Sequence, residues 1–140
     1  MLFRNILCAA ALMGLIIISG CDKTDEITNP GIELSINSPS VANGSQSFSY
    51  ALKASAYNSS TEYSLSFSGL NLSIALSLTS YSTGDVSIQL WDANKQMLSK
   101  LDYNSNTNLT QPIGLESAPS KIKLVFSNFS GLLNFTLSSK

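Results

Sequence analysis

From Leu70 to Leu78 every second residue is leucine or isoleucine, and Asn71, Ser73, Ala75, Ser77 and Thr79 alternate with them. An α-helix gathers residues three and four apart onto one face, and a strict period of two would scatter these aliphatic side chains onto opposite sides of it. A strand points successive side chains to opposite sides, so this segment has one apolar and one polar face. A strand with a single apolar face has to be covered by a second layer of structure.

The same period runs through the rest of the chain. Ile32, Leu34 and Ile36 alternate with Glu33, Ser35 and Asn37, which predicts a half-buried strand. Phe48, Tyr50, Leu52, Ala54 and Ala56 form the next inward row, followed by Tyr63, Leu65 and Phe67. Val86, Ile88 and Leu90 continue it, then a weaker strand at 96–101. Ile122, Leu124 and Phe126, and last Leu133, Phe135 and Leu137, close the series. Between these rows lie turns by residue type: 38–45, Asn58-Ser59-Ser60-Thr61, Ser82-Thr83-Gly84-Asp85, Asp92-Ala93-Asn94-Lys95, 118–120 and 128–131. Residues 102–114 read as a polar, Asn-rich loop with one short extended piece around Leu109. The expectation is all-β: an antiparallel β-sandwich of jelly-roll or Greek-key type with seven to nine short strands.

The N-terminal end is of another kind. Arg4 precedes an apolar run from Ile6 to Ile18, and Ile18-Ser19-Gly20-Cys21 follows. The run has the length of a secretory hydrophobic region and falls short of the ~20 residues that span a bilayer. Ile18-Ser19-Gly20-Cys21 resembles the lipobox of bacterial lipoproteins: an aliphatic residue, two small residues and a cysteine. The resemblance implies a diacylglycerol on the Cys21 thiol, cleavage before Cys21 and fatty acylation (palmitate) of the new amine. Residues 1–20 are then a cleaved helical signal peptide, 21–31 the lipidated cysteine with a flexible tether, and 32–140 the β-sandwich domain. The tether, Asp22 to Gly31, is charged, short of large apolar groups and closed by Pro30-Gly31. Asp22 resembles an inner-membrane retention signal of enteric bacteria, whereas Lys23, Asp25 and Glu26 resemble the acidic export tags of surface lipoproteins elsewhere. The expected location is the bacterial cell envelope, with the outer membrane or surface placed ahead of the inner membrane.

A second resemblance lies within the domain. Gly69, Leu72, Ile74, Leu76, Gly84, Asp85, Val86, Ile88, Leu90 and Asp92 look like the long strand, Gly-Asp turn and following strand of the bacterial pre-peptidase C-terminal domain. Ile122, Leu124, Phe126, Gly131, Phe135 and Leu137 echo its last hairpin. The resemblance implies a β-sandwich. The glycine usual in the Asp turn and the aromatic usual before the penultimate strand are absent here.

Composition narrows the chemistry. The chain has no histidine, which excludes histidine triads, histidine zinc sites and imidazole proton shuttles. Its two cysteines are Cys8, in the apolar run, and Cys21, so the domain has no internal disulfide. Net charge is −1 and only 12% of residues are charged, so no basic field recruits nucleic acid. Glu33, Glu62, Asp85, Asp92, Asp102 and Glu116 could supply the carboxylate pair of a small hydrolase, yet each sits in a turn or on a polar strand face. Asp85, Asp92, Asn94 and Asp102 lie in loops or at strand ends and form a candidate Ca2+ set, because oxygen ligands suit that ion. Trp91 and Tyr57 are out of phase with the inward rows of their strands, and Tyr81 and Tyr103 fall in turn regions. These four are the candidate ligand-binding residues, as exposed aromatics that stack on sugars or anchor a protein partner. The expected function is a lipid-anchored, non-enzymatic binding module for protein or glycan. A structural subunit of an envelope or secretion assembly is the alternative, and a carboxylate hydrolase stands last.

Overall fold

The computed structural model describes residues 33–140. The signal segment, the lipobox with Cys21, the tether and Ile32 lie outside the described residues. Six strands follow in order: β1 (Ser40–Asn43), β2 (Ser47–Ser64), β3 (Asn71–Trp91), β4 (Met97–Tyr103), β5 (Thr107–Gly114) and β6 (Lys121–Ser139). All pair antiparallel, and the described residues contain no helix.

Strands β2, β3 and β6 are 18, 21 and 19 residues long. Drawn straight they would reach about 60–70 Å, far more than a domain of this size can hold. The register shows how they fit. Residues 47–54 of β2 pair with the C-terminal half of β6, which pairs in turn with 72–79 of β3. Strand β1 flanks this half of β2, and β5 flanks this half of β3. The other halves form a second set: 59–64 of β2 against 121–126 of β6, then 85–91 of β3, then β4. Each long strand therefore serves both layers of a sandwich. Numbered as nine half-strands along the chain, one sheet runs 1-2-9-4-7 and the other 3-8-5-6, the strand order of a jelly roll.

All three long strands bend at the same end. Ala56, Ser80 and Asn128 take left-handed φ of 48°, 51° and 49° there, and the ladder slips on both sides of Tyr57 and between Thr79, Thr83 and Asp85. Slipped ladders strand backbone donors, and side chains take them up. Ser130 Oγ accepts the Ala56 N–H at 2.8 Å, Asn58 Oδ1 accepts the Asn128 N–H at 2.8 Å, and Asn106 Oδ1 accepts the Tyr81 N–H at 3.0 Å. Gly84, at φ 87°, completes the corner, since a Cβ there would collide with the carbonyl oxygens of Ser127 and Asn128.

The core lies between the layers. Phe48, Tyr50, Leu52, Leu72, Ile74, Leu76 and Leu78 of one sheet meet Val86, Ile88, Leu90, Ile122, Leu124 and Phe126 of the other, all buried. Tyr50 stacks on Phe126 across the interior at 5.8 Å between ring centroids. Burying each such side chain contributes roughly 1.5–3 kcal/mol.

Several elements differ from the pattern read along the chain. Leu34 and Ile36 form no strand. Ile36 makes a single bridge to Lys53 and is 60% exposed. Asn37 instead clasps the chain to β2: its N–H donates to Lys53 O, and its side-chain amide exchanges two 2.9 Å bonds with the Ser55 backbone. Residues 40–43, expected as loop, are β1, and most of the Asn-rich stretch is the end of β4 and all of β5. Leu70 stands outside β3 and is 45% exposed, while Ala56 is turned outward by the bend. Leu65 and Phe67 are buried without belonging to a strand.

Candidate binding site

The outer face of the four-stranded sheet is assembled from β2, β6, β3 and β4 in cross-strand rows. One row reads Ser64, Lys121, Trp91, Met97, and the next reads Glu62, Lys123, Gln89, Lys100. Their neighbours along each strand, Tyr63, Ile122 and Leu90, point into the core, so the strand period sends these side chains to the surface. Trp91 ends β3 at the pole of the sandwich opposite the bent corner. Its carbonyl accepts the Ser120 N–H at 2.9 Å, which holds the segment before β6 against it.

The turn after Trp91 is closed by Asp92. The Asp92 carbonyl accepts the Lys95 N–H, its N–H donates to Gln96 O, and its Oδ1 accepts the Gln96 N–H at 2.8 Å. Lys95 takes φ 63°, the left-handed residue that lets a type I turn close this hairpin. The turn, the start of β6 and the end of β2 enclose an open depression of about 380 Å³ with Trp91, Lys95, Lys121, Lys123 and Glu62 in its walls. That volume lies toward the lower end of small-ligand clefts.

Donors dominate this depression. Glu62 Oε2 accepts from Lys121 Nζ at 2.8 Å, and Glu62 Oε1 faces Lys123 Nζ at 3.6 Å. The Lys121 hydrogen bond is the main cause holding the Glu62 carboxyl below its ordinary pKa. Lys95 makes no ion pair among the described residues. The Trp91 indole Nε1 is shut in without a partner, so what Trp91 offers the depression is ring carbon. One row on, Lys100 pairs with Asp102 at 2.9 Å and holds its carboxyl down as well.

Of the four candidate aromatics, only Trp91 stands on an outer face. Tyr57 packs edge-on against Phe126 at 5.4 Å, Tyr81 donates its hydroxyl to Gly84 O at 3.0 Å, and Tyr103 lies against the core. Burial raises the Tyr103 hydroxyl pKa. The oxygen-ligand set is likewise dispersed. Asp85 and Asp92 sit at opposite ends of one half-strand, Asp102 is paired with Lys100, and Asn94 is exposed in the turn. Asp92 is buried, with its Oδ2 accepting from Ser117 Oγ at 3.4 Å, so its carboxylate is spent on the turn. No group of three or more acidic or cysteine residues able to hold a metal exists among the described residues. Lys95, Lys121, Lys123 and Glu62 were readable as polar-face or turn residues. The turn itself sets Lys95 beside Trp91, and only the pairing of β2 with β6 and of β6 with β3 brings Lys121, Lys123 and Glu62 there.

No family model matches this chain, and no curated protein does. Among solved structures it is similar to a Family 16 Carbohydrate Binding Module-2, at 14% identity over 66% of this chain and 73% of that one, with a TM-score of 0.34. It is also similar to the C-terminal CBM6 of LamC, a marine laminarinase from Zobellia galactanivorans, at 15% identity over 71% of this chain and 76% of that one, with a TM-score of 0.30. Function has to be read from the site itself.

Proposed function

We propose that this protein is a lipid-anchored, non-enzymatic binding module of the bacterial envelope that takes a glycan at the Trp91 depression. The observation that carries the reading is Trp91 itself. A half-buried indole is held by the β3 register on the outer face of a rigid sheet, with its ring carbon beside a ring of hydrogen-bonding side chains. Aromatic carbon next to convergent polar groups suits a sugar ring, which has an apolar face and a hydroxylated rim. The carboxylates whose ionisation is perturbed, Glu62 and Asp102, are shifted down by lysines, opposite to what a general acid needs. That supports binding over hydrolysis.

Trp91 lies seven residues, about 23 Å, along β3 from Gly84 at the bent corner. Titration of Trp91 fluorescence with a panel of oligosaccharides tests the reading. A saturable change with at least one sugar supports it, and loss of binding in Trp91→Ala with an unchanged circular dichroism spectrum locates it. A flat response across the panel would overturn it.

A second reading has its own observation. The outer face of the five-stranded sheet carries Ser49, Ala51, Ala75, Ser77, Asn134 and Thr136, all uncharged, with Lys53 toward the bent corner, as the docking face of a structural subunit would be. Co-purification of a fixed protein partner from native membranes, lost on Ala75→Arg, would favour that reading.

A further inference from the structure

The charges around Trp91 narrow the ligand beyond a sugar in general. Residues 33–140 contain six lysines, and four of them, Lys95, Lys100, Lys121 and Lys123, lie on or beside the outer face that carries Trp91. Three line the depression. The carboxylates there already face donors: Glu62 accepts from Lys121 at 2.8 Å and lies 3.6 Å from Lys123, and the Asp92 carboxylate receives the Gln96 N–H and the Ser117 hydroxyl. The donors are not used up. An ammonium has three hydrogens, Lys121 gives one to Glu62, Lys123 stands at 3.6 Å, and Lys95 forms no ion pair among the described residues. A ring bearing an anionic group matches the surplus of ammonium donors.

We infer that the Trp91 depression selects an anionic saccharide, a pyranose carrying a carboxylate or sulfate group, with the ring against the indole and the anion between Lys95 and Lys123. This rests on the glycan-binding reading of the same site. Uronates and sulfated sugars share the chemistry, and the experiment tells them apart.

The test is isothermal titration of the full chain in nonionic detergent with trigalacturonate, a sulfated galactan trisaccharide and galactotriose. At low ionic strength the better anionic ligand binds about tenfold or more tightly than galactotriose, and the gap narrows toward 0.15 M salt as charges are screened over about 8 Å. Lys95→Asn combined with Lys123→Gln lowers the anionic affinity by about tenfold, as two exposed charge contacts predict, and brings it down toward that of galactotriose for the same variant. Asparagine suits the left-handed backbone at position 95, and both positions are on the surface, so this variant keeps its fold. Which anionic ligand wins identifies carboxylate or sulfate as the recognised group. If galactotriose binds as tightly as either anionic ligand and depends on Trp91, the anionic inference fails while the glycan site stands. If no saccharide binds, or binding ignores both Trp91→Ala and Trp91→Phe, the site reading fails with it.

Discussion

The rings of Phe48 and Tyr63 are 5.3 Å apart between centroids, although both belong to strand β2 and fifteen residues separate them. A straight strand would hold them about 50 Å apart. The contact exists because β2 turns through the corner at Ala56 and returns in the opposite sheet, so one strand packs against itself through the core. The same holds for β3 and β6, and stability rests on three coincident bends.

Gly84 is the tightest point of that corner. Gly84→Ala is expected to cost at least about 1–3 kcal/mol from left-handed strain alone, with the collision against Ser127 and Asn128 adding to it. Urea unfolding monitored by Trp91 fluorescence measures this. A loss below about 0.5 kcal/mol, the ordinary surface level, would show that the corner does not depend on Gly84.

Leu76 and Ser77 are neighbours on opposite faces of β3. Leu76 is 2% exposed in the core, and Ser77 faces outward between Asn134 and Asn108. Leu76→Asp forfeits ~1.5–3 kcal/mol of apolar burial and adds the cost of a buried carboxyl. Ser77→Asp is expected to shift stability by no more than about 0.5 kcal/mol. Equal urea midpoints for the two variants would contradict the two-layer arrangement.

Alkaline pH should weaken the fold through Tyr50. Burial first, then the neighbouring hydroxyls of Tyr57 and Tyr63, raises its pKa well above the ordinary 10.0. A phenol that ionises in the unfolded chain but not in the folded one makes the unfolded state lose protons first. Its contribution is therefore complete below pH 10 and declines as pH rises through and beyond 10. Tyr63 and Tyr103, also raised by burial, act in the same direction. Chemical denaturation at pH 8, 10 and 11 should show a steeper decline for the native sequence than for Tyr50→Phe. Parallel declines would assign the effect to other groups.

Cys21 should decide where the protein resides. Cleavage before Cys21 and acylation there predict partition into membranes, since two or more acyl chains anchor far more firmly than one. Cys21→Ser should shift the protein to the soluble fraction or leave it unprocessed, and mass spectrometry of mature protein should find the acyl mass on residue 21. A free, unmodified Cys21 would remove the anchor from the proposed function.

The sequence by itself determined the inward rows of β2, β3 and β6 and which side of each is apolar, because alternation is written between residues i and i+2 and needs no partner. It also placed the breaks. Residues 58–61, 82–85 and 128–131, read as turns, fall at or beside the bends of β2, β3 and β6. What those breaks do was left to the tertiary structure. The same Asn, Ser and Gly chemistry serves a hairpin that reverses in one sheet and a corner that carries the chain into the other. The choice depends on which strands pair on either side. The corner also explains the tyrosines. Tyr57 is out of phase with Phe48 to Ala54, but the ladder slips between Ala54 and Tyr57, and that shift turns its ring back toward Phe126. Trp91 stays in unbroken register with β6 from Val86 onward, the extra residue of the Leu90–Trp91 irregularity lying on β4, and it kept the outward phase its position gave it. Glu62 and Lys121 beside it lie 59 residues apart in the chain and are joined only by the β2–β6–β3 register. Outward-facing polar side chains leave no periodic trace of their partners, so the site at Trp91 came into view only when the strands were paired.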